Sequence, residues 1–512
     1  MPAADDRVMT YTKNNINCTI TRHERAETLR CFFDLVARQA GLHSARMPSR
    51  DVVRISSRVA AVVAVVLLLT AACGVSGPER DVNAITVWTL ENLPERLAAQ
   101  QAIAAEFSRA TGVVVEVVGI DEGQFNQLIM SAAASGKLPD VVGALSLAGV
   151  RSLAANELLD TEVPGAVVAN LGTNTFSERA LILTRDGITQ LAVPSDAFAQ
   201  LLLYRRDLFA AAGLPEPQSY ADITTAARAL NTGGVAGFVG STSPGDGFTQ
   251  QTFEHLALAN GCELVSAGGE VRLDSPSCIA SFAFYDNLIR NYSVAGAQDS
   301  DTTRATYFAG KAAMTIWSSF ILDELAGLRA DAAPSCPRCV VDPRFLVDNT
   351  GIVTAISGPD GTAPAQFGEV VSWAVLADAS TEPARRFVEY MMSDGYLDWL
   401  SFAPEGKFPT RSGTQANPRE YADAWRTLPA GVDSKAPLTN FYPPDELDAL
   451  ATSVDRFSRW GITQGQAGLI GAMAGELPVP QAISAMTSGE VEPSEAAEQA
   501  AEAVSEIQDS LR

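Results

Sequence analysis

The sequence predicts an α/β protein arranged as two lobes, and three patterns carry that expectation. Apolar strand-like runs alternate with amphipathic helical stretches between residues 84 and 142. The same alternation recurs between residues 201 and 292, and the last quarter, Asp445 through Gln508, is helical in pattern almost throughout. Such alternation argues for parallel strands joined by crossover helices, and two blocks in succession argue for two lobes.

Taken in order, Ala84-Ile85-Thr86-Val87-Trp88 reads as a buried strand. Leu97 to Ala110 reads as a helix, because Ile103, Ala104 and Phe107 fall on one face, and Thr111-Gly112 stops it. Val113 to Val118 is the second strand, Phe125 to Ser135 a helix ending at Gly136, and Asp140-Val141-Val142 opens the third strand. In the second block Leu201 to Tyr204 and Gly237 to Gly240 are strands. Tyr220 to Leu230, Thr249 to Asn260 and Cys278 to Tyr292 are helices. An acidic helix from Pro493 to Leu511, opening at Ser494-Glu495, closes the chain.

Ahead of these elements, Val59 to Thr70 is an apolar run followed by Ala71-Ala72-Cys73-Gly74. It is too short to span a bilayer, which takes about 20 residues, but suits an export signal whose positive segment is Arg50, Arg54 and Arg58. The junction resembles the bacterial lipoprotein signal, which implies cleavage before Cys73 and lipid on its thiol. Residues 1–72 are then an N-terminal extension plus signal peptide, with Met47 the expected true start, and 73–81 a lipidated linker. Export would leave 440 residues with 27 Lys and Arg against 54 Asp and Glu. A surface that acidic repels phosphate backbones, which excludes nucleic acid as a partner.

Four cysteines follow Cys73: Cys262, Cys278, Cys336 and Cys339. An even number outside the membrane suits two disulfides. Pairing of sequence neighbours would join Cys262 to Cys278 and Cys336 to Cys339, with other pairings open.

Several segments together resemble the family-1 extracellular solute-binding proteins of ABC importers, the maltose-binding-protein-like group. Leu203-Tyr204-Arg205-Arg206-Asp207-Leu208-Phe209 through Ala212-Gly213-Leu214, with Pro215, Pro217 and Ser219-Tyr220-Ala221-Asp222, is similar to the family's Tyr-Asn-x-x-Leu-Phe signature, with Arg205 in place of Asn. Tyr307-Phe308-Ala309-Gly310-Lys311-Ala312-Ala313-Met314, Ser357-Gly358-Pro359-Asp360-Gly361 and Ser488-Gly489-Glu490 match further family segments in the same order. The resemblance implies a type II periplasmic-binding-protein fold of two lobes joined by a hinge. Lobe I would comprise 82–197 and 316–405, and lobe II 198–315 and 406–512. It also implies a monomer that captures a carbohydrate between the lobes and passes it to an ABC permease, without catalysis or cofactor. A glycerophosphodiester is the alternative ligand.

Sugar recognition needs aromatic faces and convergent hydroxyl partners. The resemblance assigns such roles to Glu91 and Asn92 after the first strand, which otherwise read as helix-cap residues, and to Ser146 after the third. Asp196 would accept hydroxyls at the hinge or serve as a turn aspartate after Pro194. Asp246 and Phe248 are an acidic and a stacking candidate, or a helix cap and a core phenylalanine. Trp317 with Ser318, and Trp373, are the aromatic-wall candidates, with Phe320 standing where the family usually has Trp. Tyr442 is a rim candidate in what otherwise reads as a turn.

Enzyme readings find little support. His255 is the only histidine after Cys73, no Gly-x-Ser-x-Gly elbow exists, and zinc-ligand spacings are missing, so no metal is expected. Cys336-Pro337-Arg338-Cys339 could carry thiol–disulfide chemistry, but Pro334 before it and Val340-Val341-Asp342-Pro343 after it read as loop or strand instead of a helix start.

Overall fold

The computed structural model describes residues 9–13, 16–20 and 83–511, in two units, Met1–Glu79 and Arg80–Arg512. In the first unit, Met9–Lys13 pairs antiparallel with Ile16–Ile20. The export signal, the start at Met47, the lipidation site Cys73 and the linker lie outside the described residues.

The second unit begins as its pattern requires. Strands β1 (Ala84–Thr89), β2 (Val114–Gly119) and β3 (Val141–Leu145) run parallel, with Ala84 beside Val114 and Val87 beside Val141. Helices α1 (Pro94–Thr111) and α2 (Glu122–Ser135) make the crossovers, and α3 (Leu147–Ala155) leaves β3. Neighbouring Val141 and Val142 are both fully buried in different cores. Both faces of this sheet are therefore covered, which is why its strands read as near-continuous apolar runs.

One long strand then serves both lobes. β4 (Val193–Arg205) pairs antiparallel through Val193 to Ala199 with the first lobe's sheet, and through Gln200 to Arg205 with the second's. Helix α4 (Gly247–Ala259) follows, then β5 (Met314–Ser318), the short α5 (Ile321–Leu325), β6 (Thr350–Val353) and β7 (Gln366–Val375). β5 and β6 flank the C-terminal half of β4, with Leu201 beside Trp317 and Leu203 beside Ile352. β7 crosses back: Gln366 and Phe367 pair with Phe457 and Ser458, and its remainder lies between β4 and β3.

The pairing moves residues 316 to about 367, expected in the first lobe, into the second. Ile316, Ile321, Leu325, Phe345 and Phe367 join that lobe's core. Gly237 to Gly240, expected as a strand, makes only an isolated bridge, from Val239 to Thr315. β5 and β6 supply the second sheet in its place. The helices α6 (Thr381–Met391) and α7 (Tyr396–Leu400) then return to the first lobe's core.

The last quarter ends in α8 (Ala467–Glu476), α9 (Pro478–Ser488) and α10 (Pro493–Ser510). Its helical run is broken at 457–466, where Phe457–Ser458 pairs with β7 and turns follow. α8, from the second lobe, lies along α3 of the first, with Gly471 facing Ala148 and Ser152. Of the open cysteine pairings the neighbouring set is formed, Cys262–Cys278 and Cys336–Cys339. No helix among the described residues is long and apolar enough to cross a membrane.

Candidate functional site

Where the two lobes face each other, the crossing strands form the floor of a cavity of about 490 Å³. That lies within the range of about 300–1,000 Å³ common for small-molecule sites. The first lobe contributes Glu91, Arg96 and Ser146, and the floor contributes Asp196, Phe198 and Glu369. The second lobe contributes Gln250, Gln251, Phe320 and Ile470.

The polar side of the cavity is built around one buried cation. Lys407 Nζ lies 2.6 Å from Glu91 and 3.1 Å from Asp196, over the Trp399 ring at 4.2 Å. Burial disfavours its charge, but the two carboxylates outweigh that and raise its pKa above the ordinary lysine value. Burial likewise pushes the Glu91 carboxyl up, yet Lys407 and Arg96 hold it down to about 2. Asp196 is further fixed by Trp399 Nε1, which donates to it at 2.7 Å, and by the Ser195 hydroxyl at 2.6 Å. Glu91 thus stays ionised in a desolvated wall, and the carboxyl oxygens of both acids can accept from hydroxyl groups.

A second ionic group ties the floor to both lobes. Arg459 binds Glu369 of β7 and Glu254 of α4, the latter at 3.2 Å. Glu369 also accepts from the Leu147 amide at 2.8 Å, at the start of α3, where an anion suits the helix N-terminus. Ser146 caps the same helix through the Gly149 amide at 3.2 Å.

Apolar surface comes from Phe198 and Phe320, whose rings are 5.5 Å apart. Phe320 lies against Gly406, where an added Cβ would sit 1.9 Å from its ring. Ala144, also in the wall, has φ of 59°, an uncommon value for a side-chain-bearing residue. It falls in a register shift between β3 and β7, the sort of bulge that re-aims side chains beside binding sites.

Of the ten residues expected to contact ligand, nine separate into three groups and Asn92 stands apart. Glu91, Ser146 and Asp196 line the cavity together. Leu93, with no side-chain cap, starts α1, so Glu91 is free of the capping role, while Asn92 is exposed and outside the lining. Asp246, Phe248, Trp317 and Ser318 adjoin the second-lobe wall without lining it. Asp246 accepts from the amides of Phe248 and Ser300, both at 2.9 Å. Phe248 packs on Trp317 at 5.5 Å, Trp317 Nε1 donates to the Ser300 carbonyl, and Ser318 is buried opposite Gln200.

Trp373 and Tyr442 are core residues. Trp373 is fully buried against Trp399 at 4.8 Å and fills the space over Gly143, where a Cβ would lie 2.2 Å from its ring. β3 bulges opposite it at Gly143 and Ala144, and the ring lies in the first lobe's core instead of the cleft. Tyr442 is buried and donates to the Leu322 carbonyl at 2.7 Å, so the rim role expected for it is replaced by packing.

Lys407, Glu369 and Arg459 lay beyond sequence reasoning because each is brought in from a segment far along the chain, whereas Arg96, in the first turn of α1 and bonded to Glu91, is a near neighbour in sequence. Phe320 did carry a signal, standing at the family's usual Trp position. His255 is fully buried and its Nδ1 accepts from the Phe367 amide at 3.2 Å. Cys336 and Cys339 are both buried in a turn, with Arg338 stacked on Phe345 at 4.0 Å. Among the described residues no group of three His, Cys, Asp or Glu is placed to hold a metal.

This fold is shared with known proteins. Residues 91–397 match the model of the bacterial extracellular solute-binding protein family. The chain belongs to that family. It is 27% identical over 323 residues, 62% of this chain and 70% of the relative, to the putative ABC transporter periplasmic-binding protein YcjN of Escherichia coli K12. Among solved structures it is similar to the GacH receptor of Streptomyces glaucescens, at 20% identity and TM-score 0.61, covering 83% of this chain and 98% of that one. It is also similar to maltose-bound MalE3 of T. maritima, at 16% identity and TM-score 0.61 over 83% and 99%. UgpB of Mycobacterium tuberculosis, in complex with glycerophosphocholine, aligns at 18% identity and TM-score 0.58 over 85% and 99%. At such identities these structures establish the two-lobed fold alone.

Proposed function

We propose that this solute-binding protein captures a neutral, polyhydroxylated ligand, a carbohydrate, between its lobes and delivers it to the membrane subunits of an ABC importer, held at the membrane by lipid on Cys73. The observation that supports the ligand class is the pairing of every cavity cation. Arg96 is bonded to Glu91, Lys407 to Glu91 and Asp196, and Arg459 to Glu254 and Glu369. A phosphodiester would need an uncommitted cation; breaking one of these pairs would leave a buried carboxylate exposed to an incoming anion. A sugar instead donates hydroxyls to the carboxyl oxygens of Glu91, Asp196 and Glu369 and lays an apolar face on Phe198 or Phe320.

Ligand touching both walls favours the closed arrangement by the contacts made only on closure. A membrane partner can then read closure itself. Thermal unfolding of the purified protein with maltose, ribitol and glycerophosphocholine is the direct test, since ligand that binds the folded state raises Tm. A rise with maltose or ribitol that is lost in Glu91→Gln supports the reading. A rise with glycerophosphocholine alone replaces it with the phosphodiester reading.

A further inference from the structure

Helices α3 and α8 belong to different lobes, and both line the cavity. Ser146, the cap of α3, and Ala148 contribute on one side, and Ile470 and Ala474 of α8 on the other. Beside these lining residues the two helices touch. A Cβ added at Gly471 would lie 3.4 Å from the Ala148 carbonyl oxygen and 3.7 Å from Ser152 Cβ. Leu147, the first residue of α3, is fully buried in the apolar core of the second lobe, and Ala148 packs against that core. Farther along, Ala155 and Asn156 share a groove with Gly468 and Leu469, so the seam follows α3 to its end.

Small residues permit this approach. Gly471 has no side chain, and the Ala148 and Ser152 side chains that face it are short, so the helix backbones come together and gain dispersion with little side-chain entropy lost. Gly468 and Gly475 lie on the same helix, but a Cβ at either would meet nothing within 4 Å. Of the three glycines, Gly471 is the one that the neighbouring helix demands.

The position of the seam fixes the sign of its effect. The crossing strands β4 and β7 form the cavity floor through Asp196, Phe198, Glu369 and Val371. The lobes pivot about these strands, so a contact between the two walls lies on the closing side, and swinging the lobes apart separates α8 from α3. We propose that the α3–α8 seam is a clasp that stabilises the closed arrangement through protein contacts alone, and that Gly471 sets its strength. The inference rests on the cleft being the ligand site, but not on which ligand enters it. A ligand that requires closure binds with an affinity scaled by the closed fraction that the clasp maintains. A wedge in the seam therefore weakens every such ligand by the same factor and leaves the order of preference among them unchanged.

The test is small-angle X-ray scattering of the ligand-free full-length protein, comparing the parent with Gly471→Leu and Gly475→Leu. Leucine at 471 meets the Ala148 backbone, which cannot give way without moving the helix, whereas leucine at 475 enters open space. The expected result is a larger radius of gyration for Gly471→Leu and the parent radius for Gly475→Leu, with circular dichroism unchanged in both. Should Gly471→Leu fail to fold, Ser152→Leu, which wedges the same seam from α3, is expected to give the same increase. An unchanged or smaller radius in whichever wedge variant folds, or an equal increase in Gly475→Leu, overturns the proposal. Because no sugar is present, these outcomes are independent of the carbohydrate reading.

Discussion

Lys407 and Glu91 form a buried ion pair at 2.6 Å, made between a crossing segment and the loop that follows β1. Removing the cation leaves Glu91 and Asp196 facing each other in a desolvated wall. Lys407→Met is expected to cost about 3–5 kcal/mol, the usual penalty for orphaning a buried charge, and to abolish ligand-induced rises in Tm. Urea unfolding at pH 7 measures the first effect and thermal shift the second. The same pair sets an acid dependence. Glu91 titrates lower folded than unfolded, so its stabilisation is present above about pH 4.5 and is lost as pH falls toward about 2. Glu91→Gln should flatten the stability profile in that window.

Gly406 is required by Phe320, whose ring occupies the space a Cβ would take. Gly406→Ala is expected to destabilise the protein by about 1–3 kcal/mol through overpacking and displacement of the ring. Phe320→Ala should relieve that clash. In a double-mutant cycle the combined variant should be less destabilised than the sum of the two single changes, a coupling expected only for residues in contact. Additive losses would separate the two residues.

The first block was legible because it is local. Alternating strands and helices with one buried face each give β1 through β3, α1 and α2 within a few residues of expectation. The lobe assignment of residues 316–367 was not legible, since it depends on which edge of β4 accepts β5 and β6, and pairing partners far apart in sequence leave no periodic trace. Side-chain placement failed similarly at Trp373. The extra residue lies in β3, where Gly143 and Ala144 together stand opposite Trp373, and an insertion of that kind leaves no periodic trace in the sequence. Glu91 and Asp196, at the ends of strands that reach the floor, needed no such long-range information.

Ala144 carries φ of 59° in the cavity wall. Glycine has no Cβ to oppose that conformation, whereas a β-branched side chain meets it with a penalty of about 1–3 kcal/mol. Ala144→Gly is therefore expected to keep or raise Tm despite the greater freedom of its unfolded chain, and Ala144→Val to lower it. Equal losses in both variants would remove backbone strain as the cause.

His255 offers a final, acid-side prediction. It is fully buried on α4, and burial alone lowers its pKa to about 3. Its Nδ1 must be unprotonated to accept the Phe367 amide of β7, so folding requires the neutral ring. The unfolded chain binds a proton near the ordinary histidine value of about 6.5. Between about pH 6.5 and pH 3 the unfolded state thus holds more protons than the native state, and stability falls as pH falls, by up to about 1.4 kcal/mol per pH unit. His255→Gln can still offer an acceptor to the Phe367 amide but cannot titrate. Its unfolding free energy is expected to lose this slope between pH 6 and pH 4, while an unchanged slope in urea titrations would assign the acid sensitivity to carboxylates instead.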